Sequence, residues 1–253
     1  MEGSIRKTTL AALRALRLNR LAGKIYYSQL HGFAPAGKGL PEAVTKAFSM
    51  ANERGLLDGA DYCEFGIFKG YTFLHAYNVA QRLQARNMRF FGFDSFEGLP
   101  KPSGPDVVTN GLQPFYEGQY ACSYDKVRQE LDQRGADWSR MYLIKGFFNE
   151  SLASEEVQRF DIRRIAVALV DCDLYQSTVD VLAFLTSRIL DGALVLMDDW
   201  KSFGEESERG QPLALAEFAR VQPQWNIEPL FEYGSYGRVF SFSRSDAASS
   251  LLG

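Results

Sequence analysis

From about residue 40 onward, hydrophobic positions fall alternately into short strand-like runs and stretches with helical spacing. The runs at 61–65, 89–94, 141–145, 165–171 and 193–198 are rich in aromatic and branched residues and read as strands. Between them, 71–85, 123–133, 177–189 and 213–220 predict helices. Pro41 suits the first turn of a further helix running to about Asn52, and Gly55 suits its end. Two last runs, 227–231 and 238–242, split by a turn at 234–237, read as a hairpin added late in the chain. Strands alternating with helices need crossover connections. The pattern therefore predicts an α/β fold, with a mostly parallel seven-stranded sheet flanked by helices.

Ahead of this region, residues 5–24 form a basic stretch with leucines at 10, 13, 16, 18 and 21. Its mostly polar face lacks Trp or Phe anchors, so docking on this or a second subunit is preferred to membrane binding. The expected organisation is an N-terminal helical extension over 1–55, an α/β domain over 56–245 and a flexible tail over 246–253. One segment, 95–119, lacks regular pattern and carries Gly98, Pro100, Pro102, Gly104, Pro105, Gly111, Pro114 and Gly118. A long loop at the carboxyl end of a strand predicts a cover over a ligand site. The charged segment 201–211 reads equally as a second lid or a solvated loop.

Composition narrows the function classes. Of 253 residues, 46% are apolar and 23% charged, ordinary values for a globular chain. The net charge of −3 carries no nucleic-acid signature. No apolar run reaches the ~18–20 residues of a membrane span, so no stable membrane insertion is expected. Arg14, Arg17 and Arg20 interrupt the start, so it does not read as an export signal. Cys63, Cys122 and Cys172 are odd in number and lack CxxC spacing. A reducing, cytoplasmic setting is expected.

Three constellations carry candidate chemistry. Glu64-x-Gly66-x-x-x-Gly70 ends one strand and opens a helix, where glycines permit a sharp turn and close ligand approach. Asp94 ends the next strand and suits ribose hydroxyls; together the two suggest an adenosine-type ligand. Asp171 and Asp173 close one later strand, and Asp198 and Asp199 close another. Parallel strands would bring these carboxylates to one edge, where they repel unless a cation joins them. Hard oxygen donors suit Mg²⁺, Mn²⁺ or Ca²⁺. Asp173 reads equally as a cap on the following helix.

The blocks Glu64-x-Gly66-x-x-x-Gly70, Phe93-Asp94-Ser95-Phe96-Glu97-Gly98-Leu99-Pro100, Lys145-Gly146-Phe147-Phe148, Asp171-Cys172-Asp173-Leu174-Tyr175-Gln176-Ser177-Thr178 and Asp198-Asp199-Trp200 occur in this order. In this the chain resembles the macrocin O-methyltransferase (TylF-like) family across roughly residues 60–200. The resemblance implies a Rossmann-like class I methyltransferase fold, S-adenosylmethionine as cofactor, Mg²⁺ assistance and a sugar hydroxyl as acceptor. It implies that Glu64, Gly66 and Gly70 hold the methionine part of the cofactor, with Phe68 and Lys69 also in the cofactor site. It further implies that Asp94 holds the ribose, with Ser95 also in the cofactor site, and that Gly146 and Phe147 border the adenine. Asp171, Asp198 and Asp199 would bind the metal, with Asp171 also touching the cofactor and taking the acceptor proton. Phe96, Tyr116 and Asp173 are substrate-wall candidates, with Phe115 and Tyr120 beside them. The expected partner is a small-molecule saccharide or glycoside, and the N-terminal stretch allows a homo-oligomer.

Other readings remain open at this point. Asp171-x-Asp173 also fits a metal-dependent glycosyltransferase, and the glycine turn fits, less well, a nucleotide-binding oxidoreductase. A non-catalytic, cofactor-binding relative is a fourth reading. The two histidines, His31 and His75, offer little for catalysis, and His75 reads as packed or capped within its helix. Leu174 stands where some catechol methyltransferases place a lysine. Lys69 and Lys201 read as solvated lysines near the site.

Overall fold

The computed structural model describes residues 32–35, 37–109, 113–204 and 208–245. The expected basic helix at 5–24, His31 and the tail lie outside the described residues. The described elements run α1 (Leu40–Glu53), β1 (Asp61–Phe65), α2 (Tyr71–Arg82), β2 (Arg89–Asp94), α3 (Tyr124–Asp132), β3 (Met141–Lys145), α4 (Phe148–Ser151), α5 (Glu155–Phe160), β4 (Ile165–Val170), α6 (Tyr175–Leu185), β5 (Ile189–Met197), α7 (Gly210–Val221), β6 (Trp225–Tyr233) and β7 (Gly237–Arg244). A 3₁₀ turn, Gly104–Asp106, interrupts the described part of the long loop.

The sheet order is β3-β2-β1-β4-β5-β7-β6. The first five strands in that order pair in parallel, and β7 runs antiparallel to both β5 and β6. The hairpin expected from the late turn thus closes one side of the sheet. Strand order reverses between β1 and β4, the place where open α/β sheets form a ligand crevice.

Side-chain alternation along the strands builds two apolar layers. Tyr62, Leu169, Leu194 and Leu196 enter the layer beneath α1 and α2. Phe65, Ala168, Val195 and Met197 enter the layer beneath α6 and α7. All six residues of β4 are buried, which explains its unbroken apolar run in the sequence. At the opposite end of the sheet, Arg89 anchors β2 by donating to both oxygens of the buried Asp61, at 2.7 and 2.9 Å.

Some elements differ from expectation. Helix α1 buries Val44, Ala47, Phe48 and Ala51 in the main core, so the expected boundary at residue 55 falls behind a helix belonging to the same core. Helix α6 begins at Tyr175 and ends at Leu185, and Ile189 already belongs to β5. The stretch across 181–190 has no glycine or proline to mark that change, only the polar Thr186-Ser187-Arg188. His75 is packed, as expected: its Nε2 lies 3.0 Å from Thr45 Oγ1 and 2.9 Å from the Pro41 carbonyl. Among the described residues, no helix is long and apolar enough to cross a membrane.

Candidate active site

The parallel ladder continues just past the strand ends. Gly66 donates its N–H to Phe93 O at 2.8 Å, Asp171 to Phe65 O at 2.9 Å, and Asp198 to Val170 O at 3.1 Å. Gly146 donates to Asp94 O at 2.9 Å. These bonds line up Gly66, Gly146, Asp171 and Asp198 along one edge. A cavity of about 1000 Å³ opens over them, large enough for more than one small ligand.

At the glycine turn, Gly66 has φ of 92°, and a Cβ there would lie 1.8 Å from the Asp171 carbonyl oxygen. No other residue fits, because the turn passes directly against the end of β4. Gly70 caps α2 with φ of 82° and packs on Leu131. Asp94 ties this turn to the next loop. Its Oδ2 accepts the N–H groups of Ile67 and Phe68 at 2.9 and 3.0 Å, and its Oδ1 accepts that of Phe96 at 2.7 Å. Burial raises the Asp94 pKa and these three bonds oppose the rise. Ser95 braces the same corner, donating to Gly98 O at 2.8 Å.

Gly66, Phe68, Asp94, Ser95, Gly146 and Phe147 all line the cavity. Glu64, Lys69 and Gly70 do not. Glu64 is buried beneath the floor, where it accepts from the Tyr62 hydroxyl at 2.6 Å. Burial pushes its pKa up to about 8, with the Tyr62 hydrogen bond pulling the other way. Lys69 is buried rather than solvated, and desolvation lowers its pKa. Lys201 also departs from the solvated reading, since its Nζ pairs with Glu232 at 2.8 Å.

The acid cluster forms as the strand pattern predicts. Asp171, Asp198 and Asp199 each present an oxygen within 4.8 Å of the other two. That separation matches the ~4–5 Å span across a Mg²⁺ or Ca²⁺ coordination sphere. Burial raises the pKa of Asp171 well above the usual carboxylate range, and the charges of Asp198, Asp199, Asp173 and Glu64 raise it further. Asp198 is pushed up to about 7 by burial and then by Asp199. For Asp199, burial outweighs hydrogen bonds from Asp173 and Ser202. Asp173 lines the cavity with φ of 60°, and its N–H donates to Asp199 Oδ2 at 2.8 Å. It does not cap α6.

That helix is capped from elsewhere. Asp106, in the long loop, accepts the Tyr175 N–H with both oxygens. The loop closes on itself through Leu99 N–H to Gln119 O and Gly118 N–H to Leu99 O, both at 2.9 Å, and it walls the cavity as expected of a cover. Two substrate-wall expectations are corrected. Phe96 is packed edge-on against Tyr124 in the core, and Tyr116 does not reach the cavity wall. Phe115 and Tyr120 line it instead, and Phe96 and Tyr120 both have positive φ. Segment 201–211 contributes Ser202 to the wall, and Arg209 donates to the carbonyls of Pro105 and Val107.

Two residues escaped the sequence reading. Gln211 is fully buried; its Oε1 accepts from Asp199 N–H at 3.1 Å and its Nε2 donates to Val170 O at 2.8 Å. It thereby braces the ends of β4 and β5. Tyr233, from the late hairpin, lines the cavity beside Asp198. The only local signal for it is the adjacent Gly234.

A family model for macrocin O-methyltransferase (TylF) matches residues 44–211, which is most of this framework and all three candidate metal ligands. The chain belongs to the macrocin O-methyltransferase (TylF) family. Curated relatives of this TylF-family chain include the 8-demethyl-8-(2,3-dimethoxy-alpha-L-rhamnosyl)-tetracenomycin-C 4'-O-methyltransferase of Streptomyces olivaceus. It is 28% identical over 152 residues, covering 58% of this chain and 56% of the relative. Mycinamicin III 3''-O-methyltransferase of Micromonospora griseorubida is 24% identical over 154 residues, covering 58% and 59%. The chain thus spans somewhat over half the length of the curated relatives it matches. Among solved structures, the O-methyltransferase NovP superposes with a TM-score of 0.63 at 19% identity, covering 81% of this chain and 79% of that one. The calicheamicin methyltransferase CalS11 gives 0.62 at 22% identity, covering 79% of both. The fold is that of the class I, Rossmann-like methyltransferases. Family membership leaves the glycosyltransferase and oxidoreductase readings without support.

Proposed function

We propose that this chain is an S-adenosylmethionine-dependent O-methyltransferase acting on a hydroxyl of a saccharide or glycosylated small molecule, assisted by a divalent cation. The observation that carries the reading is one cavity with two unlike walls. A glycine turn tied by Asp94 stands on one side, and three converging carboxylates stand on the other. The saccharide acceptor is supported by the rhamnosyl substrate in the name of the Streptomyces olivaceus relative, and by the aromatic residues Phe115 and Tyr120 in the cavity wall.

In this reading Gly66 and Phe68 admit the methionine part of the cofactor. Asp94 keeps a lone pair for a ribose hydroxyl beyond the three N–H groups it already accepts. Gly146 and Phe147 border the adenine. Glu64, Lys69 and Gly70 support the turn from beneath. Asp171, Asp198 and Asp199 would hold Mg²⁺ or a similar ion, which lowers the pKa of the acceptor hydroxyl when bound.

Methyl transfer is an in-line displacement. The carbon–sulfur bond breaks as the carbon–oxygen bond forms, and the hydroxyl proton passes to a carboxylate oxygen of Asp171. Fixing the acceptor in line supplies up to ~7–11 kcal/mol of the barrier in ideal alignment.

The test is calorimetric titration of S-adenosylhomocysteine into the protein in Mg²⁺ and in EDTA. It is followed by a screen of simple glycosides, methyl α-L-rhamnopyranoside among them, for Mg²⁺-dependent methylation. Micromolar binding and a methylated glycoside are expected. Absence of binding in both buffers would remove the reading.

A further inference from the structure

The hydroxyl oxygen of Tyr233 is buried and, among the described residues, has no well-formed hydrogen-bond partner. Buried hydroxyls are nearly always partnered, so an orphan at a cavity wall points to a partner arrangement that is completed on binding. Its location is heavily specified. Tyr233 ends β6 and pairs across the hairpin with Gly237. A Cβ on Gly237 would fall 2.2 Å from Cζ and 2.3 Å from Cε2 of the Tyr233 ring. Gly237 does not occupy the left-handed region, so it is required by the ring that lies on it and not by its own backbone.

The register shows where that ring leads. Arg238 of β7 lies opposite Met197 of β5, which sets Gly237 beside Asp198. The connector at 37–39 closes over the same place. A Cβ on Gly39 would meet Gly234 N at 3.0 Å and Tyr233 Cβ at 3.9 Å, and one on Gly37 would lie 3.8 Å from Asp198 Oδ2. After burial, Asp198 and Asp171 are the charges that most affect the Tyr233 hydroxyl. The hydroxyl therefore leans on Asp198 and favours its ionised form, without reaching the geometry of a well-formed bond.

We propose that Tyr233 is a positioning residue for the cation site: when a divalent cation draws one oxygen of Asp198, the Tyr233 hydroxyl donates to the other. This rests on the reading of Asp171, Asp198 and Asp199 as a cation site. Ligating carboxylates are commonly oriented by such outer hydrogen bonds. Tyr233 lies outside the 44–211 stretch that matches the family, so this donor comes from a part of the chain that the match does not cover.

The experiment is Mn²⁺ titration followed by the electron paramagnetic resonance of the free ion, with S-adenosylhomocysteine present. Wild type, Tyr233→Phe and Gly237→Ala are compared. Tyr233→Phe keeps the ring and is expected to weaken Mn²⁺ binding by about 10–100-fold. The Tm of the cation-free protein and its affinity for S-adenosylhomocysteine in EDTA should not change. Gly237→Ala keeps the hydroxyl but occupies the place of the ring, and is expected to weaken Mn²⁺ binding as well. Wild-type Mn²⁺ affinity in Tyr233→Phe overturns the assignment alone, as does loss of the fold in that variant, which would make the hydroxyl structural. Absence of saturable Mn²⁺ binding in wild type overturns the cation reading, and the assignment with it.

Discussion

Asp106 receives the backbone N–H of Tyr175 with both carboxylate oxygens, at 3.0 and 2.9 Å, joining the cavity cover to the first turn of α6. The contact places a carboxylate at a helix N-terminus, where unpaired N–H groups and the helix dipole favour it. Arg209 fastens the same stretch of loop from the start of α7. The cover is therefore pinned at its middle to the two helices that follow the acid-bearing strands, β4 and β5.

Asp106→Ala leaves the Tyr175 N–H without its acceptor and releases the loop. A loss of about 1–3 kcal/mol is expected, seen as a lower Tm by calorimetry. Because the freed loop walls the ligand cavity, affinity for S-adenosylhomocysteine should fall in parallel. A variant with wild-type Tm and affinity would show that the pin is dispensable.

Gly66→Ala tests the close approach of the turn to β4. The added methyl would stand 1.8 Å from the Asp171 carbonyl oxygen, a backbone atom that cannot step aside alone. Positive φ adds strain of about 1–2 kcal/mol for a residue with a Cβ. The variant should lose several kcal/mol of stability, or keep its fold with the turn displaced and S-adenosylhomocysteine binding abolished. Chemical denaturation and calorimetry together distinguish the two outcomes. A stable variant that binds normally would contradict the geometry.

The central strands were legible because parallel strands buried on both faces leave unbroken apolar runs, as in Ile165–Val170. The acid cluster was legible because acids ending two such runs share one sheet edge once the strands pair. Residues that act through distant partners were not. Asp106 sits in irregular chain and meets Tyr175 only after the fold forms. Gln211 resembles any polar residue in a first helical turn, yet it joins Asp199 to Val170. Phe96 and Tyr120 flank the same loop and both take a left-handed backbone that nothing in their chemistry announces, yet one ring packs in the core and the other lines the cavity. Helices as short as Phe148–Ser151 carry too few turns for a period to show.

Asp171→Asn and Asp94→Ala should separate chemistry from binding. The first replaces a ligand and proton acceptor at nearly constant volume, so turnover should drop by about 10²–10⁴-fold with little change in S-adenosylhomocysteine affinity. The second removes the acceptor of three backbone N–H groups and the ribose contact. It should weaken cofactor binding by at least about tenfold before any effect on the chemical step. Methylation rates at saturating cofactor, set beside calorimetric affinities, decide the matter. Near-wild-type turnover in Asp171→Asn would remove Asp171 from the reaction.

The acid cluster, together with Glu64 beneath the cavity floor, also makes stability depend on pH in a direction set by raised pKa values. Asp198 ionises at about 7 and Glu64 at about 8 in the folded chain, against about 4 for unfolded carboxyls. Between these limits the folded state holds protons that the unfolded state has released. Their contribution is therefore fully present below pH 4 and is lost as pH rises through 7 to 8. Metal-free protein should show a declining contribution to Tm across pH 5–8, where most carboxylates of the surface have finished titrating. A divalent cation binds the ionised cluster and competes with those protons. Mg²⁺ or Mn²⁺ should thus raise Tm by little at pH 5 and by much more at pH 8. Asp198→Asn removes one of the raised groups and should flatten the metal-free profile and abolish most of the metal-dependent gain. Scanning calorimetry at several pH values, in EDTA and in millimolar Mn²⁺, measures all of this. An equal metal effect at pH 5 and pH 8 would mean that the cation binds elsewhere.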